Sequence, residues 1–308
     1  MYAIRASHVV REFTAGRGAC GVTLAIEPGV CFGLLGRNGS GKSTLTHLLL
    51  GMDKPTGGSL QVLGCDVGNG CRSHLSRIGA VLDTSVHWEQ LSGWENAFFI
   101  ARCYAMRAKA IESRLTDLFQ SAGLMEQAHD PVRTYSFGMR RKLSIIQALC
   151  HDPDLLVLDE PTSGLDAHFL LALKKIMENR TVRGKTSWIA GNDSDWMAGP
   201  ATRVAFMEAG KICALGTVET LSREVSPFQA LRVDLLRPVE LSHPPFGGVH
   251  SLEQSGRSLV ILMERDPALV PGVMDWIVSQ GATIRSVEVN QSTLKDAFLF
   301  KTGRPLET

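Results

Sequence analysis

The sequence carries almost no net charge. Its 32 lysines and arginines nearly balance 31 aspartates and glutamates among 308 residues, which leaves a formal charge of +1. Proteins dedicated to binding nucleic acid usually have a large basic excess, so this balance argues against a nucleic-acid partner. Hydrophobic residues make up 44% of the chain and charged residues 20%, a composition typical of a globular protein rather than a disordered one.

Long apolar runs are missing as well. No stretch has the roughly 18 consecutive apolar residues of a membrane-spanning helix. The first residues, Met1 to Arg5, lack the apolar core and the small-residue cleavage site of a signal peptide. The sequence therefore predicts a cytoplasmic chain without a membrane span of its own.

Paired cysteine motifs are also absent. The seven cysteines are odd in number and scattered, with no C-x-x-C pair, a pattern typical of reduced thiols that pack as small apolar side chains. Neither the cysteines nor the nine histidines cluster at the spacing of zinc ligands. We therefore expect free cysteines and no zinc site.

Short apolar runs alternate with helical patterns from about Ala3 to Gly216. Near-continuous aliphatic runs are typical of parallel strands buried on both faces, and strands that alternate with helices predict an α/β fold. The predicted strands are 30–35, 78–82, 155–158 and 188–190, and the predicted helices are 42–50, 95–104, 111–123, 139–150 and 169–179.

The pattern changes after Thr217, where prolines interrupt the next stretch at 227, 238, 244 and 245. Strand-like runs at 258–263 and 283–289 and helix-like runs at 268–280 and 293–302 follow. The sequence predicts a large domain over 1–218 and a small β/α accessory domain over 219–308.

The strongest motif is a glycine-rich loop that follows an apolar strand and begins a helix. It fits G-x-x-x-x-G-K-[ST], the pattern whose backbone N–H groups surround the phosphates of a nucleoside triphosphate. Lys42 is expected to contact the β- and γ-phosphates, and the Ser43 hydroxyl to ligate Mg²⁺. The candidate ATP-binding residues of the loop are Gly36, Asn38, Gly39, Ser40, Gly41, Lys42, Ser43 and Thr44.

A second motif is the aliphatic run 155–158, which ends in Asp159 and Glu160. The carboxyl end of such a strand is where open α/β folds bind their ligands. We expect Asp159 to hold Mg²⁺ directly or through water. Glu160 is placed to orient or deprotonate the attacking water, a role worth about 10²–10⁴-fold in rate.

These motifs together resemble those of the ATP-binding subunit of an ABC transporter, of the drug and polysaccharide exporter branch. Ser136 and Gly138 match the serine and second glycine of the family signature L-S-G-G-Q, whereas Tyr135, Phe137 and Met139 depart from it. Run 163–166 matches the D-loop. Phe13 matches the aromatic residue that stacks on adenine.

The resemblance implies a P-loop ATPase with a helical subdomain at about 84–140, with ATP and Mg²⁺ as cofactors. It implies two copies that meet head to tail, in a homodimer, with Ser136 facing the γ-phosphate of ATP held by the other copy. It also implies an integral membrane permease subunit as partner and a peripheral position on the cytoplasmic side of the membrane.

Two candidate catalytic positions depart from the family pattern. Asp83 occupies the place of the glutamine in the Q-loop; its carboxylate still suits Mg²⁺ or water, but it lacks the amide donor. Asn192 occupies the place of the switch histidine and has no titratable proton. We therefore expect normal ATP binding and slow hydrolysis.

Four aromatic residues follow Asp83, at positions 88, 94, 98 and 99. Plain packing in the core of a helical subdomain is one interpretation. The resemblance supports another, in which this region contacts the membrane partner, since tryptophan is enriched at the centres of interfaces.

Three functions are compatible with the sequence. The first is an ATPase that powers an exporter whose membrane spans lie on a separate chain. The second is a soluble ABC ATPase that acts on ribosomes or DNA, which the single phosphate loop and the absence of sustained heptads disfavour. The third is a weakly hydrolysing or regulatory half of a heterodimer, suggested by Asp83 and Asn192.

Overall fold

The computed structural model describes residues 2–14, 17–83, 86–225, 228–239, 241, 247–290, 293–303 and 306. The chain divides into two compact units, one formed by Met1–Val218 with Lys301–Thr308 and the other by Glu219–Phe300. Both units mix strands with helices, and the α/β fold class expected from the sequence is confirmed.

The four strands and five helices predicted for the first unit are present in its described residues, with boundaries within a few residues of those expected, and seven further strands and α-helices were not individually predicted. In chain order the elements are β1 (Ile4–Thr14), β2 (Arg17–Ile26), β3 (Cys31–Gly36), α1 (Lys42–Leu49), β4 (Gly57–Val62), β5 (Cys65–Asp66), β6 (Ile78–Val81), α2 (Gly93–Cys103), α3 (Ala108–Ser121), α4 (Phe137–Leu149), β7 (Leu155–Asp159), α5 (Ala167–Val182), β8 (Thr186–Gly191), α6 (Ser194–Met197), β9 (Arg203–Glu208) and β10 (Lys211–Gly216).

The central sheet has the strand order β10-β9-β3-β8-β7-β6, and only β10 runs antiparallel to its neighbour. Every residue of β3, β7 and β8 is buried, which explains why these strands read as continuous apolar runs. Because β3, β6, β7 and β8 are parallel, their carboxyl ends meet at one edge of the sheet. That edge carries the site described below.

Helix α1 packs on this sheet through a buried contact between aromatic rings and a hydroxyl. Phe32 stacks on Trp188 with ring centroids 5.4 Å apart, and the Trp188 indole donates a hydrogen bond of 3.1 Å to Thr46 of α1. The contact fixes the middle of α1 against β8.

A second sheet of the first unit is antiparallel, with the order β2-β1-β4-β5. The sequence analysis did not predict it, because register shifts near Val9 and Val10 interrupt the alternation of polar and apolar residues that marks a half-buried strand. Its strand β1 carries Phe13 near its end.

The second unit contains one antiparallel sheet with the order β12-β13-β11-β14. Its elements are α7 (Val218–Val225), β11 (Phe228–Leu235), β12 (Val249–Ser255), β13 (Ser258–Glu264), α8 (Leu269–Ser279), β14 (Ile284–Asn290) and α9 (Leu294–Thr302). The apolar face of α8 packs through Val273, Trp276 and Ile277 on side chains of β11 and β13. A β/α unit was expected here, but α7, β11 and β12 were not individually foreseen.

The expectation that all cysteines are free is wrong for two of them. A disulfide joins Cys65 and Cys71, whose Cα atoms lie 5.8 Å apart. The two residues are brought together by the turn that follows β5, in which the Cys71 N–H donates to the Asp66 carbonyl. Among the described residues, none of the helices has both the length and the hydrophobicity required to cross a membrane.

Candidate functional site: a phosphate loop at the edge of the parallel sheet

The glycine-rich loop connects the buried strand β3 to α1. Gly41 precedes the helix with a φ of 105°, and no side chain caps the helix N-terminus. The first N–H groups of α1 are therefore available to an anion, which the helix dipole also favours.

Close packing explains why glycines stand at two positions of this loop. A Cβ on Gly36 would lie 2.5 Å from both the Met207 carbonyl oxygen and the Ser40 hydroxyl. A Cβ on Gly41 would collide with the Gly18 carbonyl oxygen. The loop can approach its neighbours this closely only without side chains.

Lys42 is buried at 5% exposure. Its ammonium group donates hydrogen bonds to the carbonyl oxygens of Gly36 (2.8 Å) and Arg37 (3.1 Å). It also lies 3.6 Å from a carboxylate oxygen of Glu160. These contacts hold the positive charge on the inner side of the loop, beside the start of α1.

Asp159 ends β7 and is 2% exposed. Burial raises the pKa of its carboxyl, while a hydrogen bond from Ser43 and the charge of Lys42 oppose the rise. Its Oδ1 atom has no hydrogen-bond partner among the described residues. A buried carboxylate oxygen without a partner beside a serine hydroxyl is a set of donors suited to a hard cation.

Glu160 adopts a left-handed backbone conformation with a φ of 46°, and its N–H donates to the Ala190 carbonyl at 2.8 Å. Burial raises the pKa of its carboxyl, opposed by Lys42 and by a hydrogen bond from the Asn192 backbone N–H. Strained backbone conformations of this kind cluster at functional sites. The turn directs the carboxylate between the phosphate loop and the end of β8.

Most of the sequence-predicted residues line one cavity of about 780 Å³. Gly36, Ser40, Ser136 and Gly138 are not among its lining residues. Gly18, Thr162 and Ser163 line it in addition to those predicted. The full lining is Phe13, Gly18, Asn38, Gly39, Gly41, Lys42, Ser43, Thr44, Asp83, Asp159, Glu160, Thr162, Ser163 and Asn192.

Phe13 is 60% exposed at the rim of the cavity. The guanidinium of Arg11 lies 4.7 Å from the centroid of its ring, and Arg11 is itself held by Asp53 at 2.9 Å. One face of an exposed aromatic ring is thus held in position where a planar base could stack on it.

Asp83 lies just beyond the end of β6 and is exposed to the cavity. Its charge is one of the influences that raise the pKa of Asp159. Asn192 lies just beyond the end of β8 and also lines the cavity. The two departures from the family pattern therefore both stand at the same sheet edge as Asp159.

Ser136 caps the N-terminus of α4, where its hydroxyl oxygen accepts a hydrogen bond of 3.2 Å from the Met139 N–H. Gly138 packs closely against the D-loop, since a Cβ there would lie 2.6 Å from the Gly164 carbonyl oxygen. Ser136 and the neighbouring Phe137 are both exposed.

Arg141 was missed by the sequence analysis, although it contacts the site directly. It is 2% exposed and donates hydrogen bonds to the backbone carbonyls of Leu82, Asp159 (2.5 Å) and Glu160 (2.8 Å). The sequence shows only that an arginine stands five residues after Ser136. Its burial, which reveals its role, is visible only in the structure.

An apolar groove of about 420 Å³ is lined in part by residues that directly precede Asp83 in the chain. Its lining includes Ile78 and Val81 of β6 and the following Leu82. The next residue, Asp83, lines the nucleotide cavity instead. We call the apolar groove the β6 groove. Its full lining is Leu50, Met52, Leu75, Ile78, Ala80, Val81, Leu82, Val86, Ile100, Tyr104, Ser144, Gln147 and Ala148.

The aromatic residues that follow Asp83 have two interpretations, core packing and a contact surface for a membrane partner, and they do not all behave alike. Trp94 packs inside the helical region, with its ring centroid 5.6 Å from that of Phe119. Trp88 and Phe99 are 48% and 49% exposed, and their rings meet edge to face at 4.7 Å. Core packing therefore accounts for Trp94 but not for the exposed pair.

Comparison with known proteins gives a consistent result. The family model described as ABC transporter matches residues 20–163. A Nod factor export ATP-binding protein I of Neorhizobium galegae is 32% identical over 286 residues, which covers 93% of this chain and 81% of that protein. One from Rhizobium meliloti (strain 1021) is 33% identical over 287 residues, with coverages of 93% and 84%.

Solved structures share the fold. An ATP-binding subunit of an ABC transporter has a TM-score of 0.67 at 24% identity and covers 72% of this chain and 92% of its own. The dimeric bacterial ABC transporter cassette MJ0796 has a TM-score of 0.63 at 21% identity, with coverages of 70% and 98%. Together with the relatives over nearly the whole length, these matches show that the chain belongs to the ABC transporter family, as an ATP-binding subunit with ATPase activity.

Proposed function

We propose that this chain binds Mg·ATP in the cavity at the sheet edge and uses its hydrolysis to drive export through a membrane protein encoded as a separate chain. The relatives named above are export ATP-binding proteins, which supports the direction of transport. The observation that carries the proposal is at the end of β6, where Leu82 lines the apolar β6 groove and the next residue, Asp83, lines the nucleotide cavity.

The phosphate loop supplies the anion site of the proposed reaction. The N–H groups at the start of α1 and the Lys42 ammonium face the same cavity, so that fixed dipoles and one full charge act on the β- and γ-phosphates. The exposed ring of Phe13 would stack on adenine at the rim of that cavity.

Ser43 and Asp159 would hold Mg²⁺, with Asp83 close enough to contribute a carboxylate directly or through water. The unpartnered Oδ1 of Asp159 and its hydrogen bond with Ser43 support this set. Bound there, the cation would neutralise charge on the β- and γ-phosphate oxygens.

Glu160 is proposed to orient the attacking water and accept its proton. The hydrogen bond from the Asn192 backbone holds the carboxylate, and its raised pKa makes it a better base than an exposed glutamate. The Asn192 side chain would donate one hydrogen bond to the γ-phosphate, which stabilises the transition state without a positive charge.

A second copy of the chain is proposed to complete the site. ABC ATP-binding subunits dimerise and pair with membrane components as a family. Here Ser136 stands exposed at the N-terminus of α4 and outside its own nucleotide cavity, which fits a role in binding the γ-phosphate held by the other copy.

The β6 groove and the exposed pair Trp88 and Phe99 are proposed to contact the membrane partner on the cytoplasmic side. Exposed aromatic residues beside an apolar groove are typical of interface centres. If the partner displaced Leu82 in the groove, Asp83 would move as well, because the two residues are joined by a peptide bond. ATP hydrolysis and transport would thereby be coupled.

The test is co-purification of the full-length tagged chain from membranes in mild detergent. We expect an integral membrane protein in about 1:1 ratio of subunits, and at least about tenfold less of it with Trp88→Ala/Phe99→Ala. The control is Leu171→Ala, which removes an apolar side chain of α5 that is more exposed than either aromatic residue. Equal recovery with the double variant, or recovery of ribosomes or DNA instead, would contradict the proposal.

A second candidate function is that of a weakly hydrolysing or regulatory half of a heterodimer. Asp83 and Asn192, which both line the nucleotide cavity, favour it. Asp83 lacks the amide donor of the family's glutamine, and Asn192 lacks the titratable proton of the family's histidine. A second, different ATP-binding chain in the same purified complex would support this alternative over a homodimer.

A further inference from the structure

Two cysteines and a histidine meet outside the nucleotide cavity, in the segment between β5 and β6. Cys65 is buried in β5, and Cys71 follows in the next turn. His74 is 1% exposed and precedes a single 3₁₀ turn, Leu75–Arg77. One ligand atom from each of the three lies within 4.8 Å of the others.

His74 is the unusual member of this cluster. Neither of its ring nitrogens makes a hydrogen bond of normal geometry among the described residues, although buried polar atoms are nearly always hydrogen-bonded. The ring has a polar contact with the backbone of Leu49 at the end of α1, and burial lowers the pKa of His74 more than this contact raises it. The contact with Leu49 can engage only one of the two ring nitrogens, so the other is available to a ligand that the ring shares with the two sulfur atoms.

The geometry points to a zinc site formed by Cys65, Cys71 and His74 when the two cysteines are reduced. Two thiolates and an imidazole are ligands that Zn²⁺ prefers, at about 2.3 Å for sulfur and about 2.0–2.1 Å for nitrogen. In a tetrahedral site such ligand atoms lie about 3.4–3.8 Å apart. The three atoms lie within 4.8 Å of one another here, so zinc binding requires the two sulfur atoms to separate after reduction and the imidazole to approach them. Water would complete the fourth position.

Ser73 supports the assignment. Its hydroxyl lies 3.3 Å from the Cys71 sulfur and donates to the Cys65 sulfur at 3.8 Å. Hydrogen bonds to ligating sulfur atoms stabilise thiolates and hold them in place. The Leu49 carbonyl would accept the second ring N–H of His74 in the same way.

The disulfide and the zinc site are alternative states of the same residues. A dithiol reductant breaks the Cys65–Cys71 bond by donating two electrons and two protons, and is itself converted to a disulfide. Zn²⁺ then displaces both thiol protons as it binds. Zinc binding would tie β5 to the segment that enters β6, which ends just before Leu82 and Asp83.

The test uses the full-length chain, reduced and then freed of reductant, and titrated with Co²⁺ as a spectroscopic probe. We expect one Co²⁺ per chain with intense thiolate-to-cobalt absorption, and displacement of Co²⁺ by Zn²⁺, which binds more tightly. The absorption separates this site from cobalt bound at Asp159, which has no thiolate.

Variants assign the ligands. We expect His74→Ala and Cys71→Ser to weaken zinc binding more than about 100-fold, and Ser73→Ala about tenfold, since loss of an outer hydrogen-bond partner typically costs about 10–100-fold. Cys103→Ser, at an exposed free cysteine, is the matched control and should bind zinc as the wild type does.

Two results would overturn the zinc site. One is a reduced wild-type chain with all seven cysteines titratable and no thiolate–cobalt absorption. The other is unchanged absorption in both Cys71→Ser and His74→Ala. Because the wild-type titration needs no mutation, the first result stands even if a variant fails to fold.

Discussion

Arg141 illustrates how one buried side chain holds the backbone that carries Asp159 and Glu160. Its guanidinium donates to carbonyls at the end of β6 and at the end of β7, including those of Asp159 and Glu160. A buried carbonyl left without any partner costs about 1–3 kcal/mol, and of the three the Glu160 carbonyl also accepts from the Ser163 N–H at 3.4 Å. Arg141 therefore holds β6 and β7 in register at the edge where Mg²⁺ and water would bind.

Asn192 is the residue that we expect to limit turnover. In Asn192→His the backbone N–H that holds Glu160 is unchanged, while the side chain gains a donor that can carry a positive charge toward the γ-phosphate. We predict that kcat for ATP hydrolysis rises about tenfold, equivalent to about 1.4 kcal/mol. The measurement is a steady-state ATPase assay with the membrane partner present.

The control for this prediction is Asn192→Ala, which removes the side-chain donor and keeps the backbone contact. Its kcat should fall below that of the wild type while its affinity for ATP stays the same. A wild-type rate equal to or above that of Asn192→His would show that the asparagine does not slow hydrolysis.

At the scale of elements, the parallel strands of the central sheet bring the candidate residues together at their carboxyl ends. β3 leads into the phosphate loop, β7 ends in Asp159, and Asn192 follows β8. Because neighbouring strands lie about 4.7–4.9 Å apart, residues far apart in the chain meet at a common edge. The helices that follow these strands then contribute N-termini, as α1 does for the phosphates.

A histidine links the sheet to the helical region. His151 stacks on Tyr104 with ring centroids 3.5 Å apart, and its Nε2 atom lies 3.2 Å from the Ile78 carbonyl oxygen. Burial lowers the pKa of His151 from 6.5 to about 4. The folded chain therefore binds this proton less readily than the unfolded chain does.

From this difference we predict that the free energy of unfolding decreases as the pH falls from 6.5 to about 4. Through His151 the loss is roughly 2 kcal/mol, since one pKa unit corresponds to about 1.4 kcal/mol and the ring is partly solvated. His151→Phe keeps a ring on Tyr104 but cannot be protonated, so its unfolding free energy should depend less on pH. Urea denaturation at a series of pH values measures this.

The matched control is His168→Phe, which removes an exposed histidine of α5. If His151→Phe and His168→Phe alter the pH dependence to the same extent, His151 is not the group responsible.

At the scale of the whole molecule, the proposed function requires one chain to carry two halves of an ATP site that lie apart. The phosphate loop opens into the cavity, while Ser136 and the N-terminus of α4 are exposed and do not line it. This separation is the physical reason for expecting ATP to join two copies.

We predict that Ser136→Arg blocks ATP-dependent dimerisation and leaves ATP binding by the monomer nearly unchanged. The test uses the Glu160→Gln background, in which ATP should persist because the proposed base is removed. Analytical ultracentrifugation with and without ATP measures the dimer fraction. Ser121→Arg, which places the same charge at an exposed serine at the end of α3, is the control.

Equal dimer fractions in Ser136→Arg and Ser121→Arg would exclude Ser136 from the interface. Loss of ATP binding in the Ser136→Arg monomer would likewise contradict the assignment, because Ser136 does not line its own cavity.

The sequence by itself predicted the α/β fold, the phosphate loop and the carboxylates at the end of β7, because each depends on short-range patterns. A glycine-rich loop between an apolar strand and a helix carries its own backbone geometry, and Asp159 and Glu160 follow directly from the strand that precedes them. Lys42, Ser43 and Asp159 could therefore be assigned to one site before any distance was known.

Only the tertiary structure decided features that depend on contacts between distant segments. Arg141 hydrogen-bonds to Leu82, which is 59 positions away in the chain. Trp88 is exposed, whereas Trp94, six residues later, packs on Phe119. The turn that brings Cys65, Cys71 and His74 together has no standard ligand spacing, so no motif marked it. Which side chains are buried, and which side chains of different elements come into contact, depends on how the whole unit packs. The short-range pattern of the sequence does not specify this.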